Sequence, residues 1–384
     1  MKLADAPTPA LVLDRGRLAA NCERMLGRAR ALGVGLRPHM KTLKSVDAAR
    51  MAIDPAHGGI AVSTLREGEY FAAAGLSDIQ CALCLAPDKL GRAAALLARA
   101  PRFSFFLDSL DMARAVVAHA RETAAPLRAW IEIDSGEHRT GLTPDDPVLV
   151  EVARVLADPA VVFEGVATHA GQSYGATSIE QIRAVAETER RAVGEAAERI
   201  RAAGIAVRGV SAGSSPTAAH AASAQGLTEL RAGVYMAGDL YQAALGAQGM
   251  DDLAVSVLAS VISASPARGP ERGPERGHVV IDAGGIALSK DRSTARLPEL
   301  DAGYGRVMDI AGEASLGDLV VEGVHQEHGE IGGPGPLPFE RLAVGAKVRV
   351  LPNHVCMTAA AYDDYLVVDG GEEIIARWPR QNGW

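Results

Sequence analysis

Between residues 35 and 240 the apolar positions keep two alternating rhythms. Short β-branched or aromatic runs give way to longer stretches with apolar residues every third or fourth position. The first pattern predicts buried strands and the second amphipathic helices. Eight strands are predicted, at Gly35–Met40, Gly59–Thr64, Asp78–Ala86, Arg102–Asp108, Leu127–Asp134, Val161–His169, Val207–Ser214 and Thr228–Tyr235. The clearest helix is Ile179–Ala203, where Ile182, Val185, Val193, Ala196 and Ile200 share a face. Ser178 with Gln181, or Thr177 with Glu180, predicts its capping box, and Gly204 stands at the C′ position.

Beyond residue 250 the helical rhythm fades. Leu253–Ser263, His278–Asp282, Leu319–Glu322, Lys347–Leu351, Tyr365–Val368 and Glu373–Arg377 read as strands. Strand-like Pro9–Asp14 precedes the first part and can pair with them. The Arg-Gly-Pro-Glu repeat at Arg268–Gly277 cannot pack a core and reads as a solvated hairpin loop. The expected class is therefore α/β: a (β/α)8 barrel over residues 15–245, favoured over an open doubly wound sheet. A mainly antiparallel β domain follows over 246–384, together with 1–14. No G-x-G-x-x-G follows the first strand, which weakens a dinucleotide-binding reading.

Composition narrows the function. Of 384 residues 48% are hydrophobic, so the chain has ample surface to bury. Asp plus Glu is 47 against 39 Lys plus Arg, a formal charge of −8, which argues against nucleic acid or anionic membrane as partner. The N-terminus shows no apolar signal region and no run is long enough for a membrane span, so a cytoplasmic location is expected. Four cysteines are too few for a disulfide scaffold. The Cys81–Cys84 pair lies inside an apolar run and reads as core packing.

Barrel catalysis sits at the C-terminal ends of the strands. There the sequence places Arg37, Lys41, Arg139, His169, Tyr174, the Gly213–Thr217 loop, Arg231, Gly233 and Tyr235. A lysine close to Arg37 and Arg139 would lose part of its affinity for a proton and could condense with an aldehyde. The small residues of the Gly213–Thr217 loop and Gly233 would admit a phosphate to backbone N–H groups. Pyridoxal phosphate has both groups. Taken singly, Lys41 also suits a surface lysine and His169 a core histidine; their joint placement on strand ends favours a site. In the β domain, His354 and Cys356 would share one face of an extended strand and suit Zn²⁺. Mn²⁺ or Mg²⁺ would serve if substrate and water oxygens complete the sphere.

As a set, several segments resemble the fold-type III pyridoxal phosphate enzymes of the alanine racemase N-terminal superfamily, in the D-serine dehydratase and D-threonine aldolase branch. They are Thr8–Ala10, Arg37–Thr42, Thr168–Gly171, Gly213–Thr217, Glu229–Tyr235, Asp282–Gly284, Gln326–Gly329 and Pro352–Cys356. The resemblance spans nearly the whole chain. It implies that Lys41 carries the cofactor and takes the substrate's α-proton, that Arg139 lies near the cofactor's phenolic oxygen and that His169 stacks on its ring. It also implies that Ser215, Thr217, Gly233 and Tyr235 hold the phosphate, and that Tyr174 or Arg231 meets the pyridine nitrogen. His354 and Cys356 match the metal pair of the dehydratases; the aldolases carry His-x-Asp there. The implied reaction is dehydration of a D-β-hydroxy amino acid to a 2-oxo acid and ammonia, in a homodimer. The alternative is aldol cleavage to glycine and an aldehyde, with His328 or a metal-bound water as the base.

Overall fold

The computed structural model describes residues 1–266 and 277–384. Apart from Gly277, the predicted hairpin at Arg268–Gly277 lies outside the described residues. The chain forms two compact units, one of residues 23–233 with 381–384, the other of 1–22 with 234–380.

The first unit holds eight parallel strands: Gly35–Pro38, Ile60–Val62, Ile79–Cys84, Ser104–Leu107, Arg128–Glu132, Val162–Ala167, Gly209–Ala212 and Glu229–Ala232. These are the eight predicted, each trimmed where its end becomes a loop. The first strand pairs with the eighth. Between the first and second, one parallel bridge joins His39 to Ala61, with the Met40 N–H donating to the Ala61 carbonyl at 2.7 Å. The sheet thus closes almost completely into a cylinder.

Its interior is packed by side chains of unequal size. Trp130 donates its indole N–H to Ser104 Oγ at 3.1 Å and packs with Phe106 and Ala167. Room for that ring comes from glycine: a Cβ on Gly209 would lie 2.3 Å from it. The next strand's Gly165 (φ +147°) approaches so closely that a Cβ there would lie 1.9 Å from the Gly209 carbonyl oxygen.

The long helix runs Ile179–Ala202. Ser178 caps it, accepting the Gln181 N–H at 3.2 Å, while the Gln181 side chain accepts from the Thr177 N–H at 2.8 Å. The box therefore closes one residue earlier than the standard form. Gly204 (φ +79°) follows the helix end.

In the second unit the spine is Val255–Ser265. Its first half pairs with Ala10–Asp14 and Lys347–Leu351. After a bulge at Val261–Ser263 it pairs with His278–Ile281. Gly329–Gly332, Ser315–Val324 and Arg306–Met308 complete an antiparallel ring back to Lys347–Leu351. Ala10–Asp14 also runs parallel to Asp364–Val368, which pairs with Ala376–Pro379. The strand predicted at Glu373–Arg377 is shifted to that last segment. Arg306–Met308 and Gly329–Gly332 were not predicted, being short and poor in apolar alternation. Among the described residues no helix is long and apolar enough to cross a membrane.

Candidate active site

A cavity of about 430 Å³ opens in the barrel unit, and its lining comes from the ends of different strands. His39 and Lys41 follow the first strand, Glu132 ends the fifth, His169 follows the sixth and Arg231 belongs to the eighth. Arg139 enters from the loop after the fifth strand. The first strand is held to its end by the His39 N–H, which donates to the Ala232 carbonyl at 2.7 Å. Gly233 permits this approach, since a Cβ there would lie 2.4 Å from the His39 carbonyl oxygen. The turn then presents half-buried Lys41 to the cavity.

Cations dominate the lining: Lys41, Arg139 and Arg231 against the single carboxylate of Glu132. Glu132 Oε2 accepts from Thr140 Oγ1 at 2.9 Å and from the Cys84 thiol at 3.1 Å. Burial, then the Glu132 charge, pushes the Cys84 thiol far up, so it stays a donor. Cys81 is fully buried, as core packing requires, while Cys84 turns toward Glu132, and none of the four cysteines is in a disulfide.

Arg231 is fixed on every side. Nη2 donates to the Thr168 carbonyl at 2.7 Å, Nη1 to Ser211 Oγ at 3.2 Å, and the guanidinium lies 5.0 Å over the Phe106 ring. Arg37, in contrast, does not crowd Lys41 as the sequence suggested. Its Nε reaches both oxygens of Glu229 at 2.9 and 3.0 Å, and Nη1 reaches Asp78 at 2.7 Å. His57 Nε2 completes this buried cluster, 2.6 Å from Glu229. Arg37 is thus engaged by two carboxylates and is not among the residues lining the cavity.

His169 places Nδ1 3.0 Å from the Gly213 carbonyl oxygen. A carbonyl only accepts, so Nδ1 carries the proton and Nε2 is bare. Burial, then the Lys41 charge, pushes this imidazole down to about 3, so it is neutral at pH 7. Tyr174, in the turn Gly171–Gly175, stands with its ring 6.5 Å away and tilted by 43°.

The Gly213–Thr217 loop opens the short helix Ser215–His220. Gly213 takes φ +134°. Ser214 and Thr217 form a reciprocal capping box, with Thr217 Oγ1 accepting the Ser214 N–H at 2.9 Å. The Thr217 hydroxyl thus serves the helix start. Ser215 is buried at the first helical position. Lys41, Arg139, His169 and Arg231 are thereby gathered around one cavity, with Ser215, Thr217 and Gly233 on adjoining strand ends. A primary amine, a cationic surplus and glycines at the strand ends fit an anionic aldehyde such as pyridoxal phosphate.

Tyr235 and His328 belong to the second unit. Tyr235 is buried in the turn Val234–Met236. His328 is exposed in the hairpin between Ser315–Val324 and Gly329–Gly332. His354 and Cys356 are not on a strand, as the sequence suggested. The strand stops at Leu351; His354 is the N-cap of Val355–Ala359 and Cys356 its second residue. The turn still brings the two side chains into hydrogen-bond contact. Asp291 Oδ2 lies 3.0 Å from His354 Nδ1, and Asp239 Oδ2 accepts the Val355 N–H at 3.1 Å. Burial opposes a charged His354, but Asp291 and Cys356 outweigh it and draw its proton affinity up. With Nδ1 held by Asp291, Nε2 and the Cys356 sulfur are the donors a divalent cation would take, a set that suits it. Among the described residues no group of three ligating side chains forms, so water or substrate oxygens would complete the sphere.

Asp239, Asp291 and Glu189, which buttress these loops, were not found in the sequence. Each sits in an ordinary polar context, and only the fold brings it to a loop.

Comparison with known proteins follows this division. The family described as "Alanine racemase, N-terminal domain" matches residues 13–241, and "Putative serine dehydratase domain" matches 254–368. The chain is 41% identical over 384 residues to a D-threo-3-hydroxyaspartate dehydratase of Delftia sp., covering 98% of each. It is 29% identical to a D-threonine aldolase of Arthrobacter sp., covering 96% of this chain and 91% of the other. Among solved structures, a cysteine-to-alanine mutant of D-threo-3-hydroxyaspartate dehydratase in the metal-free form superposes with a TM-score of 0.93 at 40% identity, covering 100% of both chains.

Proposed function

The chain belongs to the fold-type III pyridoxal phosphate-dependent lyases, in the D-serine dehydratase and D-threonine aldolase branch, and from that premise we propose that it dehydrates D-β-hydroxy amino acids of the 3-hydroxyaspartate class. The observation that carries this is the cavity where Lys41 meets Arg139, Arg231 and a neutral His169. The 41% likeness to a dehydratase, against 29% to an aldolase, supports elimination over cleavage. So does cysteine, not aspartate, at position 356.

Bound in that cavity, pyridoxal phosphate would supply an electron sink for charge developing at Cα. Lys41 is the amine that would hold it and the base that would take the α-proton. His169, uncharged, offers a ring face without adding repulsion to Lys41. Arg231 and Arg139 would offset its negative charge, and the backbone of the Gly213–Ser215 loop and Gly233 would border its phosphate. His354 and Cys356 would hold Zn²⁺, or Mn²⁺ or Mg²⁺ with more oxygen ligands, which supplies Lewis acidity to a departing hydroxide. The working assembly is a cytoplasmic homodimer.

The test is product analysis on D-threo-3-hydroxyaspartate, D-serine and D-threonine. Ammonia in step with a 2-oxo acid is the expected outcome, fastest on the first substrate. Glycine with an aldehyde would establish the aldolase instead.

A further inference from the structure

Glu189 belongs to the long helix outside the barrel, yet the residue is only 3% exposed. Its Oε1 accepts two amide protons, from Ala170 at 2.9 Å and from Gly213 at 2.8 Å. The Thr217 side chain also hydrogen-bonds to this carboxyl. Ala170 directly follows His169. Gly213 is the residue whose carbonyl receives the His169 Nδ1–H. Gly213 is therefore held at both ends, its N–H by Glu189 and its carbonyl by His169. It needs that hold, because at φ +134° a glycine backbone has wide freedom that nothing covalent restrains.

We propose that Glu189 is a positioning residue for the cofactor pocket. It ties the ends of the sixth and seventh strands together and so fixes His169 as the Nδ1–H tautomer, with a bare Nε2. Its effect travels through Gly213 and Ala170, and it touches no substrate or cofactor itself. The assignment deepens the pyridoxal phosphate reading above and rests on it for the cofactor's identity.

Two conservative variants separate reach from charge. Glu189→Gln keeps an acceptor oxygen at the same distance and removes the charge. Glu189→Asp keeps the charge and withdraws the oxygens by one methylene. On the full-length protein, pyridoxal phosphate affinity is titrated by absorbance, the His169 tautomer is read by ¹⁵N NMR of histidine-labelled protein, and Tm is recorded. The Gln variant should stay within about twofold of wild type in affinity, since its buried hydrogen bonds persist. The Asp variant should lose about tenfold, the worth of one strained buried hydrogen bond, and its His169 signals should move toward a tautomer mixture.

An Asp variant with wild-type affinity and an unchanged tautomer would overturn the proposal. A Gln variant as impaired as the Asp variant would overturn it too, by assigning the effect to charge. His169 found as the Nε2–H tautomer in wild type overturns it whatever the variants do. A wild-type protein that binds no pyridoxal phosphate defeats the cofactor reading instead; the tautomer measurement needs no cofactor and still judges Glu189.

Discussion

Two buried glutamates of the barrel unit show how one residue type takes opposite titration behaviour from its neighbours. Burial alone would raise the Glu229 carboxyl, but Arg37 and His57 outweigh it and hold it far below its ordinary 4.5. Its stabilising contribution is therefore complete at neutral pH and is lost as pH falls below about 4.5 toward its folded value. Glu189 is pushed up to about 7 by burial, with the hydrogen bonds from Thr217, Gly213 and Ala170 offsetting only part. Its contribution is complete below about pH 4.5 and is lost as pH rises through 7. Glu229→Gln should cost about 3 kcal/mol at pH 7, because it leaves Arg37 with a buried charge only half compensated. Urea denaturation at pH 7 and pH 3 checks this, and the gap between variant and wild type should narrow in acid. Glu189→Gln should instead flatten the decline in stability between pH 5 and pH 8.

At the scale of elements, the strands meet at glycine. Gly165 and Gly209 let two neighbouring strands close on Trp130. Gly165→Ala should cost at least about 2 kcal/mol, from a positive φ that alanine resists and a Cβ with no space beside a backbone carbonyl. A Tm that does not fall would mean the strands separate more easily than their packing suggests. The same elements explain what the sequence could disclose. Barrel strands are buried on both faces and appear as continuous apolar runs, so all eight were visible, as was the Ser178 cap. Arg306–Met308 and Gly329–Gly332 are too short to carry a period. That Lys41 and His169 come to one cavity was legible because both directly follow strand ends. Arg37 was misplaced because Glu229, its captor, stands 192 residues away in sequence. His354 and Cys356 were found as a pair while their backbone was misjudged, since the turn after Leu351 keeps two side chains together as an extended strand would.

Across the whole molecule, the two units carry separate chemical groups: an amine with an imidazole in the barrel, an imidazole with a thiol in the β unit. The two should be separable by experiment. Under the proposed metal reading, Cys356→Ala is expected to lower metal affinity by about a hundredfold or more, since the thiolate would be a direct ligand and outer-shell losses already cost roughly 10–100-fold. Elimination should fall with the metal, while the bound pyridoxal phosphate and its absorbance remain. Metal analysis beside the visible spectrum reads both, and a variant that loses the cofactor as well would show that the groups depend on each other. Lys41→Ala should behave in the reverse sense, keeping metal while turnover drops about a thousandfold or more with loss of its base. The most direct measurement is borohydride reduction of the holoenzyme followed by peptide mapping. A single pyridoxyl group on Lys41 is the expected result, and a group on any other lysine, or on none, would contradict it.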